Sequence, residues 1–151
     1  MSIEKKIKST IVLDIDTKTV INLMHIGSWV NEKNVTFFKQ FGLSSQQYNI
    51  LRILRGQKGR PINLTDIHER MISKMSNTTR LIDKLILKGF VTRRTDKKNK
   101  RRVEIRITKK GLNLLEQIDL QITGHTESIT KHLNYKESLI LNELIDKLRG
   151  E

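Results

Sequence analysis

The chain has 151 residues, with 29 Lys+Arg against 16 Asp+Glu, a formal net charge of +13 and a pI near 10.2. That length suits a single domain with a real hydrophobic core. The charge calls for an anionic partner, and nucleic acid is the commonest one for so basic a chain. There is no cysteine, which excludes disulfides, thiolate metal sites, cysteine nucleophiles and thiol redox sensing. The apolar run Ile11-Val12-Leu13 stops at Asp14, too short for a signal-peptide core. No stretch approaches the roughly 18 apolar residues of a membrane span, so a soluble, cytoplasmic chain without membrane association is expected.

In chain order, residues 16–40 carry Val20, Leu23, Met24, Val30, Phe37 and Phe38 at roughly helical spacing, with Trp29 among them. Gly27-Ser28 predicts a kink or interruption there. Ser44 with Gln47 three residues on is a capping-box pattern. It opens a helix that buries Tyr48, Leu51 and Leu54 and ends near Gly56. Pro61-Ile62 is a short extended piece. Asn63 caps the next helix, whose inner face is Leu64, Ile67 and Met71. A short turn, Ile72 to Lys74, leads to a helix over about residues 75–88. Its inner face is Thr78, Leu81, Ile82 and Leu85, and Gly89 stops it.

Residues 90–94 and 102–107 then alternate with period 2. Val103, Ile105 and Ile107 point one way and Arg102, Glu104 and Arg106 the other, the pattern of a half-buried antiparallel pair. No Asn-Gly turn joins them, which predicts a longer, mobile loop. Thr108 caps a long helix to about Leu133, with Leu112, Leu115, Ile118, Ile122 and Ile129 as its apolar stripe and Gly124 a weak point. Asn134 caps a last helix bearing Leu139, Ile140, Leu144, Ile145 and Leu148. The fold class is therefore mainly α with a small antiparallel β-hairpin. The end helices have no sheet to lie on, so their apolar stripes must pack on each other or on a partner chain, which implies a symmetric dimer.

Residues 63–88 read helix, tight turn, helix, the helix-turn-helix arrangement. In such a unit the second helix enters the major groove and its N-terminal residues reach base edges. Ser76, Asn77, Thr79 and Arg80 stand there, with Lys84 one turn on. Arg80 can fork onto a guanine edge and Asn77 can pair with adenine. Immediately after comes the cationic hairpin. Residues 91–110 hold ten Lys/Arg against Asp96 and Glu104, a net +8 of the chain's +13. Arg93, Arg94 and Arg102 suit phosphates, the tip carries Lys97, Lys98, Lys100 and Arg101, and Arg101 suits the negative potential of a narrow minor groove.

The segment from about Leu43 to Leu120 resembles the winged helix-turn-helix core of the MarR family of bacterial transcription regulators. The resemblance rests on TTRLIDKLILKGFVTRRTD, KKNKRR and VEIRITKKG. They match a Thr/Ser-Arg-Leu-hydrophobic-Asp-Lys/Arg-Leu recognition helix, Lys-Gly-Leu/Phe-Val, Arg-Arg, an Asp-led basic wing, an alternating strand and Thr-Glu/Lys-Lys-Gly. The chain departs from that pattern at Asn99-Lys100-Arg101, where the family commonly has Asp-Arg-Arg and its Asp braces the wing through an ion pair. It departs again at Ile72, where Gly often stands. The resemblance implies a single MarR-like domain over 1–151. Residues 43–108 would form the DNA-binding lobe, and helices of 1–42 and 109–151 the dimerisation lobe. It further implies a homodimer on a short palindromic operator in double-stranded DNA, usually as a repressor. Many relatives release DNA when a small phenolic or lipophilic effector binds between the two lobes. The nearest candidates for such a pocket here are His25, Trp29, Phe37, Phe38 and Tyr48.

Other classes find little footing. There is no Gly-rich phosphate loop, nucleophile elbow or His/Glu zinc motif, so no enzyme, catalytic residue or cofactor is expected. His125 and His132 can share a helix face, but spacing alone makes no metal site, and none is expected. The alternative is a basic protein of nucleoid or RNA-binding type that grips nucleic acid without sequence choice. Its mark would be exposed sheet aromatics for base stacking, and the hairpin offers only Phe90.

Overall fold

A computed structural model describes residues 1–150. The elements in chain order are α1 (Ile3–Lys6), α2 (Ile15–Lys39), α3 (Ser45–Gly56), α4 (Leu64–Arg70), α5 (Thr78–Leu87), β1 (Val91–Thr95), β2 (Val103–Ile107), α6 (Lys109–Thr130) and α7 (Tyr135–Arg149). The fold is a winged helix-turn-helix core with long helices on either side of it in sequence. Among the described residues no helix is long and apolar enough to cross a membrane.

Local chemistry sets most element starts. Ser44 Oγ accepts from Gln47 N–H at 3.1 Å while Gln47 Oε1 accepts from Ser44 N–H at 3.0 Å, a complete capping box. Asn63, Thr108 and Asn134 cap α4, α6 and α7 through their side chains in the same N-cap role. The core then forms where apolar faces meet. Ile50, Leu51, Ile67, Ile82, Leu85, Leu115 and Ile118 are fully buried, from α3, α4, α5 and α6. Each such side chain contributes about 1.5–3 kcal/mol by leaving water.

The two strands pair antiparallel, with Val91 opposite Ile107 and Thr95 opposite Val103. Ile62 adds a single bridge to Ile105 with hydrogen bonds of 3.1 and 2.9 Å, which moors the hairpin to the loop after α3. Ile105 faces inward and is buried, as its alternation predicts.

Two expectations about the long helices are corrected. α2 runs unbroken through Gly27-Ser28. A glycine in an exposed helix costs only about 1 kcal/mol, and the long helical flanks outweigh it. α6 is likewise continuous through Gly124 but ends at Thr130, before Leu133. A short helix, α1, was not foreseen. Its Ile3 is buried and its Glu4 pairs with Lys18 of α2 at 2.8 Å.

Candidate nucleic-acid interface

The helix-turn-helix is α4 and α5. Thr78, Ile82 and Leu85 recur at helical spacing and are buried, which fixes α5 with Thr79, Arg80 and Lys84 exposed on the other side. His68 Nδ1 lies 3.0 Å from Thr78 Oγ1, linking α4 to the first turn of α5. The turn between them is held from outside: Asn49 Oδ1 on α3 accepts from Ile72 N–H at 2.9 Å. Ile72 itself is exposed.

The start of the recognition helix differs from the sequence expectation of residue 75. Asn77 is the N-cap, and its Oδ1 accepts from Arg80 N–H at 3.1 Å. An adenine fork and this cap compete for the same oxygen. Ser76 therefore precedes the helix, half-buried, and its Oγ is out of solvent without a protein partner. Asn77, Arg80 and Lys84 line a cleft of about 500 Å³ against Ser44, Gln46 and Gln47 at the start of α3.

The wing residues divide into two groups. Arg93 is engaged: its Nη1 donates to Asp83 Oδ1 of α5 at 2.8 Å, tying β1 to the recognition helix. Both side chains are close to half exposed, so the pair sets geometry more than stability. Arg106 is engaged as well, donating to Gly59 O at 2.8 Å. Arg94, Lys97, Lys98, Lys100, Arg101 and Arg102 are exposed. Among the described residues none of these six enters an ion pair. The loop predicted to be mobile is a closed turn, with Asp96 N–H donating to Arg102 O and Arg102 N–H to Asn99 O, each at 2.8 Å.

The base of the wing meets α6 closely. Thr108 Oγ1 accepts from Gly111 N–H at 3.1 Å and donates to Gly89 O at 2.7 Å, and Lys110 Nζ donates to Lys88 O at 2.9 Å. The end of α5, the hairpin base and α6 thus share one junction.

The five residues read as a ligand pocket fall into two groups. His25 and Trp29 line a cleft of about 180 Å³ with Lys6, Ser28 and Glu32. Phe37, Phe38 and Tyr48 are core residues; Tyr48 stacks on Phe38 at 4.3 Å and Phe37 on His125 at 4.1 Å. His125 Nε2 is 2.8 Å from Asn34 Oδ1. Burial first, and the nearby Lys33 charge second, hold its pKa below the usual 6.5. His132 lies beyond the end of α6, so the two histidines share no helix face. A separate cleft of about 200 Å³ lies between α2, α3 and the α4–α5 turn. It is lined by Gly27, Val30, Asn31, Asn34, Ser45, Gln46, Asn49, Ile72 and Ser73. Three uncharged asparagines on two helices, with Ile72 and Ser73 from a distant turn, form no motif that the sequence displays.

Comparison with known proteins matches this geometry. The MarR family model matches residues 43–103. The HTH-type transcriptional repressor YetL of Bacillus subtilis (strain 168) is 30% identical over 118 residues, spanning 78% of this chain and 69% of that protein. The crystal structure of a MarR transcription factor from Planctomyces limnophilus is similar with a TM-score of 0.70 and 29% identity, covering 93% of this chain and 100% of that one. A mutant MarR from E. coli complexed with operator DNA shares the fold, with a TM-score of 0.76 and 21% identity over 90% of this chain and 99% of that one. The chain belongs to the MarR family of winged helix-turn-helix transcriptional regulators, which are DNA-binding proteins and not enzymes.

Proposed function

We propose that the protein is a homodimeric repressor that reads a short palindromic operator in double-stranded DNA. The observation that carries this reading is the pairing of an exposed recognition face, Thr79, Arg80 and Lys84, with six exposed wing cations, Arg94, Lys97, Lys98, Lys100, Arg101 and Arg102, that enter no ion pair among the described residues. In this reading α5 enters the major groove, with Arg80 and Lys84 at its mouth and Asn77 and Ser76 at its approach. Arg94, Lys97, Lys98, Lys100 and Arg102 neutralise phosphates, and Arg101 reaches the adjacent minor groove. Arg93 acts through Asp83 as a brace and not as a phosphate contact. The E. coli neighbour, which is complexed with operator DNA, supports duplex DNA as the partner.

Residues 1–42 and 109–151 supply the dimerisation lobe in this reading, and 43–108 the DNA-binding lobe. The support is apolar surface left bare within one protomer. α7 buries no residue, and its Leu139, Ile140, Leu141, Leu144 and Leu148 are 44–61% exposed. Val20 and Met24 of α2 are exposed too. A patch of that kind marks an interaction surface, and a two-fold dimer would set two α5 helices about 34–36 Å apart along the duplex. Light scattering is expected to give a dimer, and footprinting a two-fold-symmetric protected site with two protomers bound. A monomer in solution, or one protomer per protected site, would rule this arrangement out.

For an effector, the asparagine-lined cleft fits better than the packed aromatics. A small phenolic or lipophilic ligand seated there would press on Ile72 and Ser73, which lead into α5. A panel of simple phenols is expected to release operator from the wild type and not from Ile72→Trp, whose indole fills the cleft. Equal release from both would place the effector elsewhere.

A further inference from the structure

The wing tip concentrates Lys97, Lys98, Lys100, Arg101 and Arg102 within six residues. Mutual repulsion works against any fixed conformation there, yet the tip is a closed turn. Its inner side does not pack on the body: an open groove of about 400 Å³ separates Asn99, Arg101, Arg102 and Val103 from Asn63, Leu64 and Thr65 at the start of α4. The restraint is therefore internal. Asp96 and Asn99, three residues apart, each fold back on the chain two residues ahead. Asp96 Oδ1 accepts from Lys98 N–H at 2.8 Å, and Asn99 Oδ1 accepts from Arg101 N–H at 3.1 Å. These are successive side-chain turns of the kind Asn and Asp make with their own backbone. Asp96 has no ion-pair partner among the described residues, and the Asn99 carboxamide is neutral.

We infer that Asn99 is the positioning residue of the wing: its neutral carboxamide holds the Arg101 amide, so the minor-groove arginine is presented from a turn built before DNA arrives. The inference rests on the DNA-binding reading above and goes beyond it in two respects. The wing tip closes without an ion pair, so added salt removes none of the contacts that order it. And a carboxamide keeps the oxygen that makes the turn while leaving every neighbouring cation unneutralised for phosphate. An aspartate at 99 would make the same turn at the cost of one positive charge of net wing potential.

Two variants of the full chain separate these roles. Asn99→Ala removes the acceptor; Asn99→Asp keeps it and adds a negative charge. In the DNA-free protein, amide order parameters over residues 97–102 are expected near a rigid ~0.8 for the wild type and for Asn99→Asp, and below about 0.6 for Asn99→Ala. In operator titrations against salt, Asn99→Ala is expected to bind roughly three- to thirtyfold more weakly with the salt slope unchanged. Asn99→Asp is expected to lower the slope by about one, the value of one lost phosphate neutralisation. A wing already mobile in the wild type, or equally ordered in Asn99→Ala, overturns the inference. Arg101→Ala keeps the two readings apart. If the order parameters behave as expected but Arg101→Ala binds DNA as the wild type does, the brace stands and the minor-groove role of the wing fails.

Discussion

Arg80→Ala is expected to weaken binding to the operator by about 1–3 kcal/mol, roughly five- to 150-fold, and to weaken binding to shuffled duplex by much less. The argument is geometric. Arg80 sits in the first turn of α5, exposed, and its backbone N–H is already taken by the Asn77 cap. Its guanidinium is in no ion pair among the described residues, so it reaches DNA without first breaking a contact. A bidentate fork onto a guanine edge discriminates between bases, whereas a phosphate contact does not. Competition titrations at one salt concentration separate the two. An equal loss on operator and shuffled DNA would reduce Arg80 to a phosphate contact. Because the side chain supports no fold contact, the variant should melt with the wild type.

Gly111→Ala is expected to destabilise the fold by about 1–3 kcal/mol, although alanine is the better helix former by about 1 kcal/mol. The first turn of α6 is pressed onto the hairpin base. A Cβ at Gly111 would stand 2.5 Å from Phe90 O and 2.7 Å from Ile107 Cγ1. Phe90 O cannot retreat freely, because it accepts from Thr108 N–H at 3.0 Å and Phe90 N–H donates to Leu85 O at 3.0 Å. Strain at this junction reaches the end of α5 and the wing together. At fixed protein concentration, the melting temperature should fall by roughly 2–12 °C, given about 2–4 °C per kcal/mol for a chain of this size. A raised melting temperature would mean that the close approach is not there. Gly124→Ala is the contrast: nothing lies within 4 Å of its Cβ position, and helix propensity alone should decide its sign.

The features legible in the sequence were those encoded within a few residues of each other. Ser44-Gln47 reads as a capping box because both hydrogen bonds close within one turn, and the structure forms both. The alternation of Val103, Ile105 and Ile107 gives the register of the hairpin because one face must be buried. The ordered motif from Thr78 to Gly111 points to the family for the same reason: its parts lie in one run. What stayed hidden depends on residues far apart in the chain. Arg93 counts as one more wing cation until β1 is laid beside α5 and Asp83 takes it. Asn49 has no visible role until α3 is set against Ile72. The start of α5 is not legible because periodicity alone carries the helix back to residue 75, whereas the Asn77 cap and the burial of Thr78 begin it at Thr78. The aromatic set His25, Trp29, Phe37, Phe38 and Tyr48 divides into two groups for a related reason. Spacing along α2 does not say which turns face the core, and Phe37 and Phe38 do while Trp29 is only half-buried.

The most direct measurement is the affinity of the wild-type protein for its operator relative to a shuffled duplex of equal length, both taken near physiological salt. Electrostatic grip by a +13 chain contributes equally to the two and falls with salt in both, so the ratio isolates what α5 reads. A preference of about a thousandfold or more is predicted for the operator. A ratio near one would contradict sequence-specific regulation and leave a basic protein that holds nucleic acid by charge alone.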